Sequence, residues 1–159
     1  MGMPAKQLLT IFEFILILTV FALIGSFEIT VQENDRIVDA TEQFTELVRY
    51  KGCITKQMYE DFREQISTPI KVNFIVEKGK TLKQSDELLN ADFTEDVLEH
   101  LDASGLYAMS AGDEIKVVVR KLSPTSFDRT VGMLTGQMRG GANPVIAIKG
   151  GLVLNEQYH

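Results

Sequence analysis

The chain has 159 residues, 45% of them apolar and 24% charged, and a formal net charge of −6. An acidic chain without a cluster of Lys or Arg lacks the basic patch that nucleic-acid phosphates require, which argues against nucleic-acid binding. One cysteine and two histidines exclude a disulfide scaffold and a Cys/His zinc site. The apolar fraction excludes general disorder.

The first segment of the chain is far more apolar than the rest. Residues 1–26 contain only two charged residues, Lys6 and Glu13. The stretch 8–25 rises about 27 Å as a helix, close to the roughly 30 Å hydrocarbon core of a bilayer. Positive charge before this stretch, from Lys6 and the terminal amine, favours a cytoplasmic N-terminus and an external C-terminal domain.

These features predict three regions and a single-pass membrane protein. Residues 1–7 are expected to form a short cytoplasmic leader and residues 8–27 a transmembrane and assembly helix. Residues 28–159 are expected to form an external α/β domain. The alternative is a cleavable signal with a mature start near Ser26, which would leave a secreted soluble protein, for example an enzyme.

The helix is predicted to continue well beyond the apolar stretch, over residues 6–51 as one element. Residues 27–51 contain neither Pro nor Gly, and Gly52 after Lys51 is a typical helix stop. The apolar positions recur at helical spacing. They are Ile37, Thr41, Phe44 and Val48, flanked by Ile29 and Leu47.

Glu13 lies inside the apolar run. A charged side chain near a bilayer centre costs on the order of 3 kcal/mol, so such a residue usually has a partner or a role. One interpretation places Glu13 at the headgroup level. The other pairs it with Lys6 or the terminal amine of a neighbouring copy that is staggered by a turn or two. The helical face predicted to carry the contacts between copies consists of Leu8, Phe12, Ile15, Thr19 and Ala22.

The rest of the chain predicts an α+β fold, in which the long helix packs on a small, mainly antiparallel sheet of three or four strands with two or three short helices. The predicted elements are a helix over 56–66 capped by Thr55, a strand over 70–76, a polar loop over 81–92 after Lys78-Gly79-Lys80, a helix from Thr94 to Gly105, a strand over 114–120 after the Gly112-Asp113 turn, a helix from Ser123-Pro124 to about Arg139, and a strand or hairpin over 144–155.

The helix that begins at Ser123-Pro124 is expected to stop at Gly140-Gly141 and to use Gly132 and Gly136 for close packing. The residues on its predicted inward face are Phe127, Val131, Leu134 and Met138. Gly150-Gly151 is expected to bend the last strand.

No sequence motif indicates catalysis. The chain contains no Walker A loop, GxSxG, HExxH or CxxC sequence. Cys53 is expected to be a small buried apolar residue, and His100 and His159 to be surface residues. We therefore expect no enzyme activity, no cofactor and no metal site.

The stretch from Ala40 to Phe62 carries a resemblance to a known family. Its pattern V-R-x-x-G-x-I-T-x-x-x-Y-x-x-F is matched by Val48, Arg49, Gly52, Ile54, Thr55, Tyr59 and Phe62. This pattern, together with the apolar helix and its lone Glu13, resembles the type IV pilin superfamily, and more specifically the small minor-pilin-like proteins of tight-adherence type systems in Gram-positive bacteria. Gly112-Asp113 and the ending 150–156 are similar as well.

The resemblance implies a subunit that polymerises into a surface filament with copies of itself, other pilin-like subunits and assembly-platform proteins. It implies that Glu13 neutralises the terminal amine of an adjacent subunit. Pilin processing that leaves this Glu as the fifth mature residue would require cleavage between Leu8 and Leu9, which offers no small residue, so an uncleaved anchor stays open. The alternative function is a monomeric single-pass membrane protein whose external domain binds a partner in a secretion or envelope complex.

Overall fold

The computed structural model describes residues 5–66, 68–77, 94–136 and 144–155. The elements, in chain order, are α1 (Ala5–Lys51), β1 (Cys53–Thr55), α2 (Lys56–Gln65), β2 (Ile70–Glu77), α3 (Thr94–Ser104), β3 (Leu106–Ala108), β4 (Glu114–Lys121), α4 (Ser126–Thr135) and β5 (Val145–Leu152). The predicted α+β fold, a long apolar N-terminal helix with small antiparallel sheets and further short helices, is confirmed. The predicted polar loop over 81–92 with Lys78-Gly79-Lys80, and the prediction for His159, lie outside the described residues.

The chain divides into two compact units. The first contains residues up to Glu33 together with residues 124–141, and the second contains the remainder. The helix α1 runs without interruption through 47 residues, as its lack of internal Pro predicts. It ends where predicted, at Gly52, whose φ of +66° favours glycine and whose N–H donates to the Val48 carbonyl at 2.9 Å.

The core of the second unit is built on one side of α1. The predicted face is confirmed, because Ile37, Thr41, Phe44 and Val48 are all buried. The ring of Phe44 lies 4.7 Å from that of Phe62 and 6.0 Å from that of Phe74. The flanking residues Ile29 and Leu47 are both exposed.

A three-stranded antiparallel sheet of order β2-β4-β5 faces this core. Opposite residues such as Phe74 and Val117 are paired across the ladder, and alternate side chains of β4 enter the core. The register between β4 and β5 shifts between Val119 and Arg120. The alternating pattern that predicted β2 and β4 therefore reflects the face that the two strands share in the core, although Ile75 and Val118 on the opposite face are buried as well.

A second, two-stranded sheet pairs β1 with β3 and was not predicted. Ile54 lies opposite Tyr107 in this antiparallel ladder. The described residues thus contain five strands, where three or four were expected. A three-residue strand is too short to show the alternation on which sequence prediction depends.

The start and end of α4 differ from the prediction. Its N-cap is Thr125, whose hydroxyl accepts from the Asp128 N–H while the Asp128 carboxylate accepts from the Thr125 N–H. The helix therefore begins after Ser123-Pro124 rather than at it. It ends at Thr135, before Arg139, with Gly136 in the left-handed conformation as its cap.

The inward face predicted for α4 is confirmed only in part. Phe127 and Val131 are half-buried, but Leu134 is exposed, whereas Gly132 is buried. Because Gly136 caps the helix, the two glycines do not form a packing motif within it. Met138, Arg139 and Gly140-Gly141 lie outside the described residues.

Gly150 and Gly151 do not form the expected bend but lie within the single strand β5. A Cβ atom on Gly150 would lie 2.6 Å from the carbonyl oxygen of Ile115, and one on Gly151 would lie 2.6 Å from Nε of Arg49. Both distances are shorter than a side chain tolerates. Gly150 is therefore needed for the close approach of β5 to the β4 backbone, whereas the neighbour of Gly151 is the flexible end of the Arg49 side chain, which is able to shift.

The segment after β5 caps the C-terminal end of α1. The last carbonyls of a helix have no partner within the helix. Here the N–H of Leu154 donates to the Arg49 carbonyl and the side-chain amide of Asn155 donates to the Tyr50 carbonyl, both at 2.9 Å. In return, Nε of Arg49 donates to the Leu152 carbonyl at 3.0 Å. The end of the chain's last strand and the end of its first helix therefore stabilise each other.

Candidate assembly surface

The N-terminal part of α1 exposes apolar side chains on all sides. Large apolar residues are exposed at nearly every turn, among them Phe12 at 64% and Phe21 at 69%. In length and composition the helix is able to cross a membrane, and its most apolar stretch contains no buried residue. This part of the chain thus presents a long hydrophobic surface that the described residues do not cover.

Most polar side chains in this stretch are satisfied by the helix itself. The hydroxyl of Thr10 donates to the Lys6 carbonyl at 3.0 Å, and that of Thr19 donates to the Ile15 carbonyl at 2.9 Å. Such bonds to the preceding turn remove the cost of placing a hydroxyl in an apolar environment. The two threonines are therefore compatible with lipid or with a neighbouring helix.

Glu13 is different. Its side chain is exposed, and no described residue forms a hydrogen bond or an ion pair with its carboxylate. Lys6 lies seven residues earlier, which places it on the same side of the helix about 10.5 Å away along the axis. An ion pair within one helix is out of reach at that separation. A neighbouring parallel helix shifted by about 10.5 Å brings one copy's Glu13 level with the other's Lys6.

The predicted contact face lies on a different side of α1. Leu8, Phe12, Ile15 and Ala22 are exposed and Thr19 is half-buried. At 100° per residue, the centre of this face is roughly 150° around the helix from Glu13 and Lys6. The predicted contact face and the charged pair therefore lie on two different sides of α1.

The first unit also contains a contact that sequence reasoning missed. The ring of Phe127 in α4 lies edge-on to that of Phe27 at 5.9 Å, and its N–H donates to the hydroxyl of Thr30 at 3.1 Å. Ser26 is buried as well. No pattern in the sequence joins positions a hundred residues apart, so this attachment was not predictable from spacing.

In the second unit, the residues that carry the resemblance have structural roles. Val48 is fully buried and Gly52 adopts positive φ. Thr55 caps α2 by accepting from the Met58 N–H at 3.2 Å. The ring of Tyr59 contacts that of Phe74 at 5.8 Å. The pattern thus encodes the turn from α1 through β1 into α2.

A groove of about 320 Å³ lies between α2 and α3. At its edge the Lys56 ammonium and the Asp102 carboxylate are 3.2 Å apart. The Arg63 guanidinium lies 5.9 Å from the centre of the Tyr59 ring. Burial raises the pKa of Tyr59, and the positive charge of Arg63 opposes this shift. The groove therefore has an aromatic floor and charges of both signs.

The described ranges contain no group of three or more His, Cys, Asp or Glu that could hold a metal ion. Cys53 is buried, as predicted. Burial raises the pKa of its thiol, although nearby Lys51 opposes the shift, so the reactive thiolate is disfavoured. His100 is exposed, as predicted, and its Nδ1 lies 2.8 Å from the Asp96 carbonyl oxygen.

Comparison with known proteins adds no identification. No family model, curated protein or solved structure matches the chain. The functional argument therefore depends on the chain's own residues, above all on the exposed apolar helix and Glu13.

Proposed function

We propose that this chain is a structural, pilin-like subunit that polymerises through its N-terminal apolar helix into a surface filament. Before assembly it is a single-pass membrane protein with its N-terminus in the cytoplasm and the domain of residues 28–159 outside. It has no enzyme activity. Its partners are copies of itself, other pilin-like subunits and the proteins of an assembly platform.

The observation that carries this proposal is an apolar helix that holds one carboxylate with no partner among the residues that the structure describes. A simple anchor needs an apolar surface but gains nothing from Glu13, which costs on the order of 3 kcal/mol in a bilayer. A bundle of parallel helices supplies the apolar environment and also the cation. The proposal is further supported by the resemblance of residues 40–62 to pilin-like proteins.

The charged pair sets an axial stagger between neighbours. Because Lys6 and Glu13 share one side of α1 and are seven residues apart, a shift of about 10.5 Å pairs each Glu13 with the Lys6 of the next copy. The opposite side, with Leu8, Phe12 and Ile15, packs against a further neighbour by apolar contact.

The test is filament yield from cells that express charge variants of the full chain. Glu13→Ala and Glu13→Lys are expected to abolish filaments while membrane insertion continues. Lys6→Glu combined with Glu13→Lys restores the attraction with its direction reversed, and we expect this double variant to recover part of the yield. Filaments are quantified in sheared surface material by electron microscopy with an antibody to the external domain.

Glu28→Ala is the matched control, because Glu28 is an exposed carboxylate on the same helix just beyond the apolar stretch. It should assemble like the wild type. Wild-type yield from Glu13→Ala would refute the role of Glu13. Absence of filaments from the wild-type chain, with the protein retained in the membrane, would refute polymerisation.

The groove between α2 and α3 favours a second candidate function, that of a monomeric membrane protein that docks a partner of a secretion or envelope complex. Partner docking there predicts that Tyr59→Ala and Arg63→Ala weaken cross-linking of the full chain to envelope proteins. Filament assembly predicts that these variants leave the yield unchanged. Running both assays on the same variants separates the two functions.

A further inference from the structure

The last turn of α4 exposes two large apolar side chains. Met133 is 79% exposed and Leu134 49%. Arg129 is also exposed and lies one turn before Met133 on the same side of the helix. Exposed apolar side chains near a cation on the same helix are typical of helices that lie in a membrane interface.

The attachment of α4 to α1 fixes the level at which these side chains lie. Phe127, in the first turn of α4, contacts Phe27 and Thr30 of α1. These two residues are at the end of the apolar stretch. If that stretch spans the roughly 30 Å hydrocarbon core, Phe27 and Thr30 lie where the hydrocarbon meets the lipid headgroups.

The short length of α4 keeps its end near that level. Leu134 is seven residues from Phe127, so it lies no more than about 10.5 Å from it along the helix axis, whatever the direction of α4. A headgroup region is about 5–8 Å deep on each side of the hydrocarbon core. The exposed apolar side chains of α4 are therefore within reach of lipid in every orientation of the helix except one that points steeply away from the bilayer.

We propose that α4 docks on the lipid surface, with Met133 and Leu134 inserted at the boundary between headgroups and acyl chains and Arg129 against lipid phosphate. The inference rests on the membrane-spanning part of the proposed function. Lipid is the occupant because α4 is attached, through the contact of Phe127 with Phe27, to the apolar stretch that the same bilayer would cover. The role of α4 is then to fix the depth and orientation of the subunit before assembly.

The test uses the full chain in vesicles of phosphatidylcholine and phosphatidylglycerol, part of the former brominated on its acyl chains as a fluorescence quencher. A polarity-sensitive fluorophore is attached to a cysteine in place of Leu134, Ile15 or Ile148. Ile148 is the matched control, because it is an apolar residue of β5 with 47% exposure, close to that of Leu134. The wild-type chain, whose buried Cys53 reacts poorly, gives the labelling background.

We expect strong quenching at Ile15→Cys and Leu134→Cys, and several-fold weaker quenching at Ile148→Cys. Quenching at Leu134→Cys that is no stronger than at Ile148→Cys, with Ile15→Cys quenched, overturns the docking of α4 and leaves the membrane span intact. An unquenched Ile15→Cys overturns the span and the docking together. A Leu134→Cys probe shielded from both brominated lipid and aqueous iodide indicates cover by protein, from a second copy or another partner, and also overturns lipid docking.

A second variant tests the contact with phosphate. Arg129→Glu replaces an exposed side chain, so the fold should be unaffected. In vesicles that contain phosphatidylglycerol, we expect it to reduce the quenching at Leu134→Cys, whereas unchanged quenching would refute the role of Arg129.

Discussion

The two parts of α1 have the same backbone conformation but opposite surroundings. From Asn34 to Lys51 the apolar residues recur on one side, and the chain's own sheet and α2 cover them. From Leu8 to Phe27 they occupy every side, and the described residues leave most of them exposed. The same residue types therefore form part of the domain core in one part of α1 and an exposed apolar surface in the other.

The difference shows that the distribution of apolar residues around a helix indicates whether its own domain can cover them. An apolar stripe on one side needs one covering layer, which a single domain can supply. A helix that is apolar all round needs cover on all sides, and the described residues leave its most apolar stretch uncovered here. Three comparisons test this division. Each makes the same substitution at two positions, one in the N-terminal part of α1 and the other in the second unit.

The largest effect is expected from removing a core aromatic ring. Phe44→Ala deletes a ring that is 3% exposed and packs against Phe62 and Phe74, so we expect the second unit to lose about 3–5 kcal/mol of unfolding free energy. Phe21→Ala makes the same change at a side chain that is 69% exposed, and we expect less than about 0.5 kcal/mol. Urea unfolding of the full chain in detergent micelles, followed by near-ultraviolet circular dichroism, measures both. Similar losses from the two variants would contradict the division.

The next effect concerns the glycines. In Gly150→Ala the new Cβ meets the backbone carbonyl of Ile115 at 2.6 Å, which cannot move aside without disturbing the sheet. We expect a loss of about 1–3 kcal/mol, as for other overpacked sites. Gly25→Ala introduces the same methyl group into a helix where, apart from the adjacent residues and the local helix backbone, no atom lies within 4 Å, and Ala is favoured over Gly there by about 1 kcal/mol.

Thermal unfolding of the two glycine variants provides the comparison. Gly150→Ala should lower the melting temperature of the second unit, whereas Gly25→Ala should leave it unchanged. A stable Gly150→Ala protein would mean that Gly150 serves only as a flexible strand position.

These glycines also show where sequence prediction stops. The helix over 6–51 and the strands β2 and β4 were predictable, because their periodicity depends on one buried face along a continuous segment. The close approach of Gly150 to Ile115 joins distant parts of the chain, and no local pattern encodes it. The start of α4 was in principle readable, since Thr125 and Asp128 have the spacing of a capping box, but Ser123-Pro124 offered a competing start signal.

The candidate assembly surface was likewise predictable only in part. Glu13 and Lys6 stand out because charges are rare in an apolar stretch. Their spacing of seven residues predicts that they lie on the same side of the helix. The contact of Phe127 with Phe27 does not, because it depends on how the chain returns to α1. Local composition thus identifies which helix needs partners, while tertiary contacts decide which of its sides remain free.

The smallest expected effect comes from two threonines with different hydrogen-bond partners. The Thr55 hydroxyl accepts from the N–H of Met58, which has no partner within α2, so Thr55→Ala should destabilise the second unit by about 1 kcal/mol. The Thr10 hydroxyl donates to the Lys6 carbonyl within a continuous helix, and that carbonyl is already engaged by the helix backbone. Thr10→Ala should therefore leave the urea midpoint unchanged, since Ala is also the stronger helix former. An equal shift of the midpoint in both variants would show that the threonine hydroxyl contributes equally in the two parts of the chain. The difference in burial between the N-terminal part of α1 and the second unit would then have no counterpart in their hydrogen bonds.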